Sequence, residues 1–174
     1  MAYPGSYPAS TYGNWPVASD TGQRALRADV AAFVLLLIGG AAGVAQLFVP
    51  WTSVSADTPG RSTGWQLFQI IKRAIPDQGF SFTFAAYAIL AVAVVGVAMI
   101  LFSIAMLFPI DHRPPGIVAL LAAVIALVCA VWWTFWGPSG GASFLFKHAG
   151  VGWYLFLLSG VFGLAGAIKS LVTR

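Results

Sequence analysis

Side chains able to do acid–base, thiol or metal chemistry are scarce in this chain, and their spacing keeps them apart. His112 and His148 fall in different connections between apolar stretches, on opposite sides of any membrane those stretches cross, so they reach no common metal. Asp111 precedes His112 directly, but adjacency alone does not orient a carboxylate onto an imidazole. Cys129 is the single cysteine, which excludes an intrachain disulfide and a thiol couple. It reads as a small apolar residue facing a neighbouring helix or lipid. Every acid is an aspartate (Asp20, Asp29, Asp57, Asp77, Asp111), and none stands in the middle of an apolar stretch. HExxH, Walker, GxSxG and Cys-x-x-Cys patterns are absent from the sequence. The expectation is a protein with no catalytic residue, no cofactor and no metal ligand.

The residues that remain suit association. Trp51, Trp65, Trp132, Trp133, Trp136 and Trp153 gather at the ends of the apolar stretches that the charge pattern assigns to the outer side. Indole joins a large apolar ring to one N–H donor, which suits the headgroup layer. The cluster Trp132, Trp133, Phe135 and Trp136 is denser than anchoring needs, so these six tryptophans are the expected contacts with lipid or a partner. Gly39 and Gly43 form GxxxG, and Ser159, Gly160, Gly163 and Gly166 place small residues three and four apart. Small side chains let helix backbones approach closely, a main source of packing energy where lipid competes equally for apolar surface. Joining the chain's own helices is their default role, with an outside helix as the other. Tyr3, Tyr7, Tyr12 and Trp15, set among prolines and glycines, read as a docking arm or a disordered leader within residues 1–24.

The elements that must position these residues are four apolar stretches, expected as spans at about 29–50, 83–108, 116–136 and 151–170. Each is near the ~20 residues needed to cross a ~30 Å hydrocarbon slab as a helix. Composition agrees: 59% of residues are hydrophobic and 8% charged, against about 25% charged in soluble domains. A charge at the bilayer centre costs about 2.5–3.5 kcal/mol and is kept for ion or proton paths. Here the polar residues at that depth shrink to Gln46, Ser103, Thr134 and Ser159, a poor set for a proton-coupled transporter or a voltage sensor.

The longest connection holds Trp65, Phe68, Ile71 and Ile75 on one helical stripe, with Gln66, Gln69, Lys72 and Arg73 largely elsewhere. It predicts a short amphipathic helix over 64–75 in the outer interface, ended by Pro76. The net charge of +4 is spread over the connections. Its densest cluster, Lys72–Arg73, is too small for a nucleic-acid face. Arg24 and Arg27 before the first stretch favour an inner N-terminus, and four crossings return the C-terminus to the same side.

This layout of four spans, a long first outer loop, a tryptophan just past the first span (Trp51) and inner termini resembles claudins and other tetraspan proteins. The paired loop cysteines of claudins and tetraspanins are absent, so their disulfide-pinned ectodomain is not implied. The Ala/Gly/Val-rich spans behind a Tyr/Pro/Gly tail also resemble small membrane proteins of actinobacteria, some of them accessory subunits of respiratory or envelope assemblies. The expectation is an all-α, integral membrane four-helix bundle over 25–174 in the cell membrane, with both termini cytoplasmic. It would be a non-catalytic accessory or assembly subunit of a larger, for example respiratory, membrane complex, its partners being other integral membrane subunits and lipids. The alternative is a small carrier of lipid or another apolar molecule, gated by the 64–75 helix and holding a cavity beside Trp51, Trp65 and Trp133.

Overall fold

Asp29 opens the first helix. Its Oδ1 accepts a hydrogen bond from Ala32 N at 3.0 Å, which satisfies one of the amides left bare at a helix start. A computed structural model describes residues 28–51, 62–78, 80–108, 111, 113–136 and 149–172. The helices among them are α1 (Val30–Ala45), α2 (Gly64–Gln78), α3 (Phe80–Ala105), α4 (Arg113–Trp136) and α5 (Val151–Val172). No strand occurs among the described residues; Pro50 and Thr63 form an isolated antiparallel bridge.

α3, α4 and α5 are long and apolar enough to cross a bilayer. Their outer faces carry Val94, Leu101, Leu121, Val128 and Val161, each more than half exposed. So much bare apolar surface is costly in water and costless in hydrocarbon. α1 is equally apolar but shorter: its 16 residues rise about 24 Å. Within the span expected to run to residue 50, the α-helix itself ends at Ala45. Leu47 N and Phe48 N bond three residues back, to Val44 O and Ala45 O, and this tightening winds the helix down before Pro50.

Two other boundaries move for local reasons. α2 runs on to Gln78, past the stop expected at Pro76. The proline sits in the final turn, where its missing N–H forfeits one bond and little helix remains to disrupt. α4 begins at Arg113 and takes Pro114 and Pro115 into its first turn, where a missing N–H costs nothing. Asp111 Oδ1 accepts from Arg113 N at 3.1 Å and anchors that start.

The four apolar helices pack in a ring, α1 against α3 and α5, and α4 against α3 and α5, with α2 laid on α3. Neighbours in the ring are antiparallel. The start of α1 meets the end of α3 through Asp29 N, which donates to Met106 O at 2.9 Å. Gly116, in the first turn of α4, lies against Ser170 near the end of α5. The centre divides in two. One end is aromatic, built on Trp51, Trp133, Trp153 and Phe156; the other is small and aliphatic, built on Ala32, Leu36, Met99, Ala123 and Ala167.

Small residues set how closely the ring closes. A Cβ on Gly39 would stand 2.7 Å from Gly163 N, and one on Gly43 would stand 2.7 Å from Ser159 Oγ. Gly160 presses on Leu127 of α4 and Gly163 on Met99 of α3, while Gly166 meets Leu36 of α1. All six predicted packing residues are therefore buried between the chain's own helices. Gly40 and Gly96 form a further close pair that draws α1 onto α3: a Cβ on Gly40 would lie 2.6 Å from Gly96 O.

Candidate functional site

Trp51 is the centre of the aromatic end. It follows α1 by six residues and turns back into the bundle, where it is 2% exposed. Its Nε1 donates to Gln46 O at 2.8 Å. Around its ring stand Phe156 at 5.0 Å, Trp153 at 5.5 Å and Trp133 at 5.6 Å between centroids. Trp133 and Trp153 also meet edge to face at 5.6 Å. Such tilted and edge-to-face pairs contribute about 0.5–1.5 kcal/mol each beyond burial. Trp133 Nε1 donates to Ala85 O at 3.0 Å, tying α4 to the first turns of α3.

The backbone around Trp51 is stapled as well. Trp51 N donates to Ser62 O at 2.9 Å, and Trp65 N donates to Leu47 O at 3.0 Å. Gly150 N donates to Trp51 O at 2.7 Å, and Gly152 N to Pro50 O at 2.8 Å. These bonds hold the end of α1, the start of α2 and the start of α5 at one junction. Gly64, Gly150 and Gly152 leave no room for a side chain there, because Trp51 and Pro50 lie against their backbones.

Three expected surface tryptophans are thus corrected: Trp51, Trp133 and Trp153 are interior residues, not lipid or partner contacts. The reason is energetic. Trp51 and Trp153 each meet three rings inside, and Trp133 meets two of those rings and donates to Ala85 O, close packing that fluid lipid does not supply. Trp136 and Trp65 do face outward, at 67% and 48% exposure. Trp132 is half-buried against Phe84, with centroids 4.4 Å apart. Tyr3, Tyr7, Tyr12 and Trp15 lie outside the described residues, as do His112 and His148.

The cavity that a gated carrier would need beside Trp51 and Trp133 is instead filled by those rings and Phe156. Three of the four polar residues at depth donate to helix carbonyls, while Gln46 Oε1 and Ser159 Oγ find no hydrogen-bond partner among the described residues. Gln46 Nε2 donates to Ile89 O at 3.0 Å, Ser103 Oγ to Ile100 O and Thr134 Oγ1 to Ala130 O at 2.7 Å each. No cluster of three or more metal-ligating side chains occurs among the described residues. At the opposite end of the bundle, Lys169 Nζ lies 3.8 Å from the buried Asp29 Oδ2 and joins the two chain ends of the ring.

α2 provides the other distinctive surface. Thr63 and Gln66 form a capping box: Thr63 N donates to Gln66 Oε1 at 3.0 Å, and Gln66 N to Thr63 Oγ1 at 3.3 Å. Phe68 and Ile71 are buried toward α3. Ser62, Trp65, Gln66, Gln69, Ile70 and Arg73 line an open groove of about 460 Å³ on the side away from the bundle. Lys72 stands one residue before Arg73, with its Nζ 5.9 Å from the centroid of Phe68.

Comparison with protein-family models, curated proteins and solved structures finds no match to this chain. The class that the fold defines is an all-helical protein with three helices able to cross a membrane and a tryptophan-centred junction at one end of a four-helix ring.

Proposed function

We propose that this chain is a four-span, non-catalytic protein of the cell membrane that acts by association, as an accessory or assembly subunit of a larger membrane complex. A respiratory assembly is one host of suitable chemistry. In this reading α1, lengthened by the Gln46–Val49 turns, is the fourth crossing, and both termini are cytoplasmic.

The observation that carries the reading is the junction at Trp51. It fixes the backbone on both sides of the first long connection, at Trp51 and Ser62, against the residues that lead into α5. Both connections at that end of the bundle therefore spring from one rigid base. A rigid base lowers the entropy lost when a partner docks on what it carries. The outward tryptophans Trp65 and Trp136, with half-buried Trp132, remain as contacts for that partner or for lipid. The small residues are consumed in packing the ring itself.

The test is purification of the full chain from its native membrane in several mild detergents, with crosslinking before extraction. One dominant, stoichiometric complex with other integral membrane proteins is expected. Recovery as a lone monomer in all of them overturns the proposal. Trp136→Ala gives a finer readout: complex recovery falls several-fold while the isolated chain keeps its stability.

A further inference from the structure

The outward face of α2 has a polarity that association with protein does not explain. Positions 62, 66, 69, 70 and 73 follow helical spacing and share the groove, opposite the buried Gly64, Phe68 and Ile71. The capping box engages the Oε1 of Gln66, so the side chain's remaining capacity is its NH₂ group, a donor. Arg73 supplies up to five further N–H donors in a planar fork suited to phosphate. Arg73 and Lys72 are both exposed, and neither makes an ion pair among the described residues. The groove is therefore donor-rich and cationic, with Trp65 and Ile70 as its apolar rim. Its place is also fixed: Gly79 alone separates α2 from α3, a helix long and apolar enough to cross the bilayer, and Phe80 at the start of α3 is largely exposed. A cationic groove with an aromatic rim, one residue from a membrane-crossing helix, lies where lipid headgroups lie.

We propose that this face of α2 is a docking site for the phosphate headgroup of an anionic phospholipid, gripped by Arg73 with the Gln66 amide as a second donor. The acyl chains then run down past Trp65, Ile70 and Phe80, all outward-facing. The site holds α2 flat on the bundle and does not depend on any protein partner.

The full-length chain is reconstituted into nanodiscs of phosphatidylcholine with a minor fraction of phosphatidylglycerol. Lipid retained on the protein is read by native mass spectrometry after gentle release. Wild type is expected to retain phosphatidylglycerol in preference to phosphatidylcholine. Arg73→Gln lowers that preference about fivefold, the loss expected for one cation at an anionic surface. Gln66→Glu is the decisive variant: glutamate keeps the capping box, so α2 stays intact, yet it sets a negative charge in the groove and abolishes the preference. Arg113→Gln, on α4 at the other end of the bundle, leaves it unchanged.

Equal retention of the two lipids by wild type overturns the proposal. So does an undiminished preference in Gln66→Glu, or the same loss in Arg113→Gln as in Arg73→Gln. Displacement of the lipid by millimolar inorganic phosphate overturns the assignment to a lipid. None of these readouts involves a partner protein, so failure here is separable from failure of the association reading.

Discussion

At the level of single residues, burial decides which tryptophans matter to what. Trp51 touches Trp133, Trp153 and Phe156 and donates to Gln46 O, so its loss removes a large ring and leaves a cavity. Trp51→Ala is expected to cost about 3–5 kcal/mol, seen as a lower midpoint of thermal unfolding in mild detergent. Trp136, two-thirds exposed, is the contrast: Trp136→Ala is expected to stay within about 0.5 kcal/mol of wild type. Gly39 gives the opposite kind of test, since a methyl there meets backbone at 2.7 Å rather than the end of a flexible side chain. Gly39→Ala must push α1 from α5 and is expected to cost about 1–3 kcal/mol. The same measurement checks it, and an unchanged midpoint contradicts the close approach of these helices. At the far end, Asp29 both caps α1 and faces Lys169. Asp29→Ala is expected to cost about 1 kcal/mol through the cap alone, while Asp29→Ser restores most of that cap.

At the scale of elements, α2 is held differently from the rest. It rests on α3 by Phe68 and Ile71 and is started by the Thr63–Gln66 box. Thr63→Ala is expected to cost about 1 kcal/mol locally. It should speed amide hydrogen exchange across 64–71 and leave α3–α5 protected; uniform change across all helices contradicts local control. This division between helices was partly legible in the sequence. Long runs without charge mark α3, α4 and α5 because hydrocarbon tolerates nothing else over that length. The Thr63-Gly64-Trp65-Gln66 start and the stripe through Phe68 and Ile71 mark α2 by short-range rules. The aromatic junction was not legible. A tryptophan near the end of a span is equally at home in the headgroup layer or turned inward, and the choice rests on the rotation of each helix about its axis, which only the assembled ring defines. Gly64, Gly150 and Gly152 carried the missing signal: glycines at the starts of two helices, where a bulky ring from another segment comes against the backbone. The end of α1 was misjudged because apolarity continues through Leu47–Val49 after the helical hydrogen bonds have given way to tighter turns.

For the molecule as a whole, the two ends differ in composition. One end is closed by interlocked aromatic rings, the other by alanine, methionine and the Asp29–Lys169 pair. In the proposed four-span arrangement the α2 end and the Arg113 end lie on opposite faces of a bilayer. Single-cysteine variants test this directly, because native Cys129 is 6% exposed and contributes little background labelling. In intact cells a membrane-impermeant maleimide is expected to label Gln69→Cys or Arg113→Cys, never both, and labelling of both from one side rules out the arrangement.

The junction also dictates an order of assembly. Trp51 emerges from the ribosome well before Trp153 and Phe156, which enclose it and belong to α5. Until α5 enters the membrane, the backbone carbonyls of Pro50 and Trp51 lack the amides of Gly152 and Gly150. A chain cut short before Val151 would leave Trp51 without Trp153 and Phe156 and leave two backbone carbonyls without their amides, so α5 is the latch that closes the aromatic end.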